Sequence, residues 1–388
     1  MYLSRAFGRW SGFLFGWSQL TVILAGSIGS MAYAFADYGV AFLGWEKSRA
    51  TALAVGAIVA LTLLNLLGVV FGKVIQNVLT IAKVLGVLGI LVAGFGWGGE
   101  ASLEPADPAP WAGFGLSMVL VLYAYGGWND RAFVASEVRD RNRNIPLALL
   151  MGTGGIMIIY LLINAAYVWS LGFSGVRGSS APAADVLTSA WGDGGGKAIS
   201  FLVMLSALGA INGLIFTGAR IHVSMGKDHS VFSWLGKWNG DSGAPVRALI
   251  AQSAMALLLV LAVGTEVGRG KMDETLKAMG FSPLPGEQTM GGFETLVAGT
   301  SPVFWSFFLM TGVSLFILRW KDRKIERPFS APLFPLEPIV FCCTCGYMLY
   351  SSITYAGGLS MLGLALLAAG IPLYGVSRFM DSEDRVVK

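Results

Sequence analysis

Two adjacent glycines interrupt an apolar stretch of the sequence that is long enough to cross a membrane as a helix. The stretch reads "FGLSMVLVLYAYGGWNDRAFVASEV", and Gly126 and Gly127 are followed there by Trp128, Asn129 and Asp130. Each glycine costs about 1 kcal/mol relative to alanine inside a helix, so the pair predicts a break. Unwound backbone inside a membrane survives only against protein or a water-filled cavity, where it can bind a polar ligand. The alternative is a glycine pair that lets two helices pack closely, and the pattern alone leaves both open.

A lysine inside another apolar stretch is the second residue that could carry chemistry. Lys83 lies in "TIAKVLGVLG", and an ionisable side chain at membrane depth indicates a functional site unless it reaches an interface. The residue is close enough to one end of its stretch for the ammonium group to snorkel to the membrane surface. The pattern alone favours snorkelling over a functional role.

The polar segment "EVRDRNRNIP" follows the glycine pair and offers a possible ion pair. Glu137 and Arg143 could pair at an inner gate, but exposed pairs contribute only about 0–1 kcal/mol, so a solvated loop is equally open. Asn144 is predicted as a helix N-cap, with Pro146 in the first turn of the helix that follows.

The cysteines and histidines do not predict a metal site. Cys342, Cys343 and Cys345 lie in one apolar run, and a Cys-x-Cys pair without histidine is a poor metal ligand set. His222 and His229 have no cysteine or carboxylate cluster near them in the sequence. We therefore expect no metal, no cofactor and no enzyme activity.

The composition indicates that these residues belong to a membrane protein. The chain has 388 residues, of which 55% are hydrophobic and only 13% charged, whereas soluble proteins carry about a quarter charged residues. No arginine-rich stripe indicates nucleic-acid binding. We expect a single all-α transmembrane domain over residues 1–388 in the lipid bilayer.

About ten stretches reach the roughly 17–25 residues that a helix needs to span a bilayer. They are Phe13–Tyr38, Thr51–Phe71, Val78–Trp97, Gly113–Val138, Pro146–Leu171, Ala198–Val223, Ala248–Gly264, Ser301–Trp320, Leu336–Tyr355 and Leu359–Tyr374. The connections between them alternate between a basic set and a second set. The second set holds "GWGGEASLEPADPAP", which has no lysine or arginine, and the Gly/Ser/Ala-rich "SGVRGSSAPAADVLTSAWGDGGGK". The positive-inside rule then predicts that both termini are cytoplasmic, in the plasma (inner) membrane.

Two connections have recognisable character. The segment "EVGRGKMDETLKAMGFSPLPGEQTMGG" is too small for a core and predicts a short amphipathic helix at Met272–Met279. The segment "RPFSAPLFPLEP" is rich in proline and is predicted to be an extended linker.

Several stretches, taken in order, resemble the amino acid–polyamine–organocation superfamily of transporters, most closely the L-type amino acid transporters and their bacterial relatives. They are "YLSRAFGRWSGFLFGW", "NLLGVVFGKVIQNVLTIAKVLGVLGILVAGF", "YAYGGWNDRAFVASEVRDRNRNIPLAL", "LSALGAINGLIFTGARI" and "LRWKDRKIERPFSAPLFPL". The resemblance implies an inverted repeat of five helices plus five, followed by two more. The first helix of each repeat is broken in this family, and the substrate lies between the two breaks.

The resemblance also implies roles for individual residues. Tyr123 would be an aromatic gate, Ala124, Gly126 and Gly127 would bind the substrate through backbone groups, and Trp128 and Asn129 would shape the pocket. Phe304 and Trp305 would face the site, and Ser27 is a further candidate. Lys83 would replace a sodium ion, with Ser206 and Gly209 as neighbours, and could lose and regain a proton during transport.

These features together predict carriage of amino acids by alternating access, either proton-coupled or by exchange. The chain opens at "MYLSRAFG", which resembles the middle of a family motif, so we expect two helices to be missing. The complete product would then begin roughly 60–90 residues upstream, the length of two spans with their connections. On that expectation, the 388-residue chain does not transport by itself. The competing hypothesis is a non-transporting remnant or accessory subunit, and an accessory partner is left open.

Overall fold

A computed structural model describes residues 2–67, 69–98, 118, 121, 124–127, 140–179, 181–238, 243–282, 291–323 and 333–386. Within these ranges the regular secondary structure is entirely helical. The predicted all-α class is therefore confirmed.

The helices of the first half of the chain are as follows. They are α1 Tyr2–Phe7, α2 Arg9–Ser18, α3 Leu24–Leu43, α4 Ala50–Leu66, α5 Val69–Trp97, α6 Arg141–Gly178 and α7 Pro182–Trp191. The second half also has long apolar helices with shorter ones between them. The helices of the second half are α8 Asp193–Asp228, α9 Val246–Gly264, α10 Glu266–Ala278, α11 Gly292–Lys321, α12 Leu336–Ala356, α13 Gly358–Ala368 and α14 Gly370–Val386.

Nine segments of the described structure are long and apolar enough to cross a membrane. Each overlaps one of the predicted spans, so the multi-pass prediction is confirmed for them. The remaining predicted span, Gly113–Val138, lies largely outside the described residues. The predicted amphipathic helix is also present as α10, which begins earlier than expected because Thr265 caps it. The Thr265 hydroxyl accepts a hydrogen bond from the Gly268 amide over 3.1 Å.

The first span is one continuous helical segment with a π-helical turn inside it. The π segment Gln19–Ile23 joins α2 to α3, and all five of its residues are buried. A π turn holds one more residue than an α turn, so it changes which faces of α2 and α3 point in the same direction. The segment ends at Gly44, whose left-handed conformation (φ 66°) terminates the helix.

The core of the molecule lies between α3, α4, α8 and α9. Ile28, Ile58, Ile211 and Val260 come from these four helices and are fully buried. Many of their neighbours are alanines, which let helix backbones approach closely in a membrane protein. Counting the predicted Gly113–Val138 span, α3 and α4 stand five spans before α8 and α9, which is the spacing of a five-helix repeat.

Glycines on α3 set the distance to α11, the helix that carries Phe304 and Trp305. A Cβ atom at Gly26 would lie 2.3 Å from the Thr300 Cγ2 atom, and one at Gly29 would lie 2.8 Å from Leu296 Cδ1. Thr300 cannot easily turn away, because its hydroxyl donates a hydrogen bond to the Leu296 carbonyl over 2.8 Å. The close approach of α3 and α11 therefore depends on glycine.

Replacing Gly26 with valine is expected to lower the melting temperature of the purified protein. The added side chain must displace Thr300, and overpacking of this kind costs about 1–3 kcal/mol. The matched control is Gly56→Val on α4, where a Cβ would meet no described atom within 4 Å. Both variants replace glycine with valine inside a helix, so they change the intrinsic helix propensity by the same amount. An equal fall in melting temperature in the two variants would therefore contradict this account.

The N-terminal helix is attached to the C-terminal end of α11. Arg5 Nε lies 3.0 Å from an Asp322 carboxylate oxygen, and Lys321 Nζ donates to the Arg5 carbonyl over 3.3 Å. The contacts place α1 and the end of α11 on one side of the molecule, the side that the charge pattern predicts to be cytoplasmic.

Candidate functional site

A cavity of about 520 Å³ lies between the glycine-containing stretch, α11 and α12. Tyr125 and Gly126 form one wall, and α11 contributes three aromatic side chains, Phe304, Trp305 and Phe308. The third wall is one face of α12, lined by Leu336, Glu337, Val340, Phe341, Thr344 and Cys345. Most of the lining is apolar, with the Glu337 carboxyl and the Tyr125 and Thr344 hydroxyls as polar groups.

The glycine pair lies in a turn and not in a helix. Ala124 is helical, whereas Tyr125, Gly126 and Gly127 form a turn in which Gly127 has φ 89°. This left-handed conformation is one that glycine adopts without penalty. A Cβ at Gly127 would meet no atom of the described structure within 4 Å, so close helix packing does not explain this glycine. The predicted break is therefore present at these residues.

Helix α6 contacts the turn through the Tyr160 side chain. The Tyr160 hydroxyl donates a hydrogen bond to the Ala124 carbonyl over 3.0 Å. The Tyr160 ring also meets the Tyr125 ring edge-on at 5.1 Å between centroids. A carbonyl that the interrupted helix leaves free is thus bonded by a side chain, as membrane depth requires.

The aromatic side chains of α11 and α12 form a continuous surface along the cavity. Phe304 stacks on Phe308 with ring centroids 4.2 Å apart, and Trp305 meets Phe304 edge-on at 5.3 Å. Phe341 of α12 lies 6.3 Å from Phe308. Aromatic pairs in these geometries contribute about 0.5–1.5 kcal/mol each beyond area burial, so these contacts stabilise the wall.

Helix α5 packs closely against α8 at two glycines. A Cβ at Gly209 would lie 3.2 Å from Leu79 Cβ, and one at Gly86 would lie 2.6 Å from Leu202 Cδ2. Lys83 lies between Leu79 and Gly86 on α5, and Ser206 lies between Leu202 and Gly209 on α8. Because residues three or four apart share one helix face, Lys83 and Ser206 lie at the same level of this interface.

Buried amides join the same two helices to α4 further along. Asn212 Nδ2 donates to Gln76 Oε1 over 3.0 Å, and Asn65 Nδ2 donates to Asn212 Oδ1 over 2.8 Å. Asn65 and Asn212 are both buried. Hydrogen bonds of this kind fix the register of the helices, and with it the level of Lys83.

Comparison with known proteins identifies the chain. A family model described as amino acid permease matches residues 1–376. The chain belongs to the amino acid permease family. This agrees with the superfamily resemblance of the sequence motifs.

Three curated relatives show how far the likeness extends. The permease is 27% identical to the serine/threonine exchanger SteT of Bacillus subtilis (strain 168), over 96% of this chain and 80% of that protein. It is 26% identical to the b(0,+)-type amino acid transporter 1 of Mus musculus, over 86% of this chain and 64% of that protein. It is 24% identical to the large neutral amino acids transporter small subunit 2 of Mus musculus, over 96% of this chain and 67% of that protein. The chain thus spans less than two thirds of the b(0,+)-type relative.

The permease brings together some of the residues that the sequence assigned to a binding site. Gly126, Phe304 and Trp305 line the same cavity, and Ala124 and Gly127 lie beside its lining residues in the chain. Ser27 on α3 is half-buried and does not line this cavity. Tyr123, Trp128 and Asn129 lie outside the described residues. The binding roles of all these residues remain predictions.

The residues predicted to govern coupling lie along one helix interface, and one member of the predicted gate pair lies outside the described residues. Lys83, Ser206 and Gly209 lie at the α5–α8 contact, and the Lys83 side chain is exposed. Arg143 is exposed in the first turn of α6, while Glu137 lies outside the described residues. The predicted N-cap at Asn144 is wrong, because α6 begins at Arg141 and Asp140 occupies the capping position. Arginine propagates a helix well, so the polar segment joins α6 and does not precede it.

Sequence reasoning missed the contribution of α12 to the cavity. Glu337, Phe341 and Thr344 line it, whereas the sequence placed them only in a membrane span, with Glu337 also at the end of the proline-rich segment. A usable signal was present, since Glu337, Phe341 and Cys345 recur at intervals of four residues and so share a helix face.

Proposed function

We propose that this permease carries amino acids across the plasma membrane by alternating access, either in exchange or together with protons. The observation that supports this most directly is the cavity beside the turn at Tyr125–Gly127, where backbone groups are available inside an apolar surrounding. A zwitterion needs polar groups for its charged end and an apolar wall for its side chain, and the cavity offers both. The named relatives include transporters and an exchanger of amino acids.

In this proposal the residues at the break bind the backbone end of the amino acid. Ala124, Gly126 and Gly127 supply carbonyls and amides, and Tyr123 closes over the ligand. Trp128 and Asn129 shape the pocket, with Ser27 as a further polar contact. Phe304 and Trp305 hold the side chain, and Lys83 with Ser206 and Gly209 governs coupling, while Glu137 and Arg143 form an inner gate.

Ligand binding is the first test of the proposal. The purified protein is heated with each amino acid in turn, and a true ligand at 100 times its Kd should stabilise the folded state by about 2.7 kcal/mol. We expect a subset of amino acids to raise the melting temperature and their hydroxy-acid analogues to leave it unchanged. A protein that no amino acid stabilises would contradict the proposal.

Uptake into proteoliposomes separates a carrier from a non-transporting subunit. Saturable uptake of the amino acids that stabilise the protein is the result expected of a carrier, and it would overturn the expectation that the 388-residue chain does not transport by itself. Binding without uptake would favour the alternative, a membrane protein that retains a site but does not transport.

Topology gives a prediction that does not depend on the substrate. Single cysteines placed at Ala183, in α7, and at Gly291, just before α11, should react with an impermeant thiol reagent from outside intact cells. A cysteine at Asn239 should react only after the cells are opened, since its loop belongs to the basic set. The unmodified chain is the control for its own three cysteines, which lie in α12. Labelling at Asn239 in sealed cells would refute the proposed orientation.

A further inference from the structure

One end of the cavity carries a buried carboxylate oxygen without a bonding partner. Glu337 lies in the first turn of α12, and its Oε2 atom is buried with no hydrogen bond to any described residue. Glu337 as a whole is half-buried, but a carboxylate oxygen that is shielded from water without a partner is unfavourable. The positive end of the α12 dipole offsets part of that penalty, because acidic groups are stabilised in a first helical turn. The helix dipole supplies no hydrogen bond to Oε2.

Three described basic side chains at this end of the molecule have contacts elsewhere, and a fourth, Arg323, is exposed. Arg319 places its guanidinium 3.7 Å from the centre of the Phe334 ring. Arg5 pairs with Asp322, and Lys321 Nζ bonds the Arg5 carbonyl. Lys324 and Arg327 lie outside the described residues and enter the test below as a possible internal partner.

The walls between Glu337 and the break suit a cation on an apolar stem. The cavity follows α12 from Glu337 to Cys345, a rise of about 12 Å at 1.5 Å per residue. Phe304, Trp305 and Phe308 line the opposite side. Aromatic faces attract ammonium and guanidinium groups, and aliphatic carbons pack well against them.

We propose that the cavity binds ligands with a protonated ammonium or guanidinium group on a flexible aliphatic stem, and that the Glu337 carboxylate receives this group. The inference rests on the proposed function for the other end of the ligand, whose amino-acid backbone would lie at the Gly126 turn. A neutral side chain of the same shape leaves the Glu337 carboxylate unpaired and is bound more weakly. Selectivity for cationic over neutral side chains follows from that difference.

The test compares arginine with citrulline, its neutral isostere, and with agmatine, which lacks the carboxylate. Affinities are measured by thermal stabilisation of the purified full chain and of two variants, Glu337→Gln and the control Glu274→Gln on the exposed surface of α10. We expect the unmodified protein to bind arginine at least tenfold more tightly than citrulline. In Glu337→Gln this ratio should fall to about one, and Glu274→Gln should keep it. Agmatine that binds as well as arginine would show that the cation alone is recognised, and weak agmatine binding would show that both ends are needed.

Three results would overturn the inference. One is equal affinity of the unmodified protein for arginine and citrulline, which needs no variant to fold. Another is an unchanged ratio in Glu337→Gln. The third is a lower melting temperature of Glu337→Gln without ligand and no change in selectivity, which would show that the carboxylate pairs with a basic residue of the chain itself. If any of these results is found and citrulline still binds, the proposed function stands and only the inference about Glu337 fails. If no amino acid binds, both the proposed function and the inference fail.

Discussion

Replacing Gly126 with leucine is expected to abolish amino-acid binding while the protein stays folded. Gly126 forms part of the cavity wall beside the turn, so a leucine side chain there would occupy the space assigned to the ligand. It would also stand between the ligand and the backbone groups of the turn. Loss of about 2.8 kcal/mol of interaction would weaken binding a hundredfold, so a ligand at 100 times the original Kd would stabilise the variant by only about 0.4 kcal/mol.

The control for this variant is Gly154→Leu on α6. A Cβ at Gly154 meets no described atom within 4 Å, and the residue does not line the cavity. The control should keep both its melting temperature and its ligand response. Normal affinity in Gly126→Leu would show that the ligand does not reach the turn. A melting temperature that falls far below that of Gly154→Leu would show instead that Gly126 is needed for packing.

Most of the helical architecture could be predicted because apolar length is a property of each segment alone. Nine predicted spans correspond to helices of the described structure, often within a few residues at one end. Their ends were less predictable, since these depend on caps and on neighbouring helices. The Thr265 cap extended α10, and the π turn at Gln19–Ile23 left no mark in the hydrophobic pattern.

The candidate site was predictable only where the local sequence determines the backbone conformation. A pair of glycines followed by polar residues predicts a break from intrinsic propensity, and the turn at Tyr125–Gly127 agrees. The third wall of the cavity depends on how α12 packs against α11, which no local pattern specifies. For the same reason Ser27, a candidate by its small size and position in the first span, does not line the cavity.

Pairwise helix register is the other feature that the sequence did not contain. The resemblance named Lys83, Ser206 and Gly209 as neighbours, but their periodicity alone does not show which faces of α5 and α8 meet. The contacts of Gly209 with Leu79 and of Gly86 with Leu202 provide that register. These contacts place the candidate residues at one interface, where the charge of Lys83 can be removed and the effect on transport measured.

Replacing Lys83 with alanine is expected to remove the pH dependence of amino-acid uptake. Lys83 lies in the span Gln76–Trp97, at the level of Ser206. A lysine that is alternately exposed during transport can release and regain its proton, which a compact ammonium does readily when desolvated. One coupled proton changes a rate or affinity by up to about tenfold per pH unit. Uptake by Lys83→Ala, measured in proteoliposomes across pH 5 to 9, should be flat over that range, at about the level of the least active pH of the unmodified protein.

Two further variants separate coupling from snorkelling. Lys83→Arg keeps the positive charge but holds a guanidinium that does not lose its proton, so it should also give a flat profile. Lys197→Ala near the start of α8 removes an exposed lysine from outside the interface and should keep the profile of the unmodified protein. A snorkelling lysine would give the opposite pattern, because the arginine variant would then behave like the unmodified protein and the alanine variant would lose only stability. A normal pH response in Lys83→Ala would therefore place the coupling proton elsewhere and leave Lys83 as an anchor at the membrane surface.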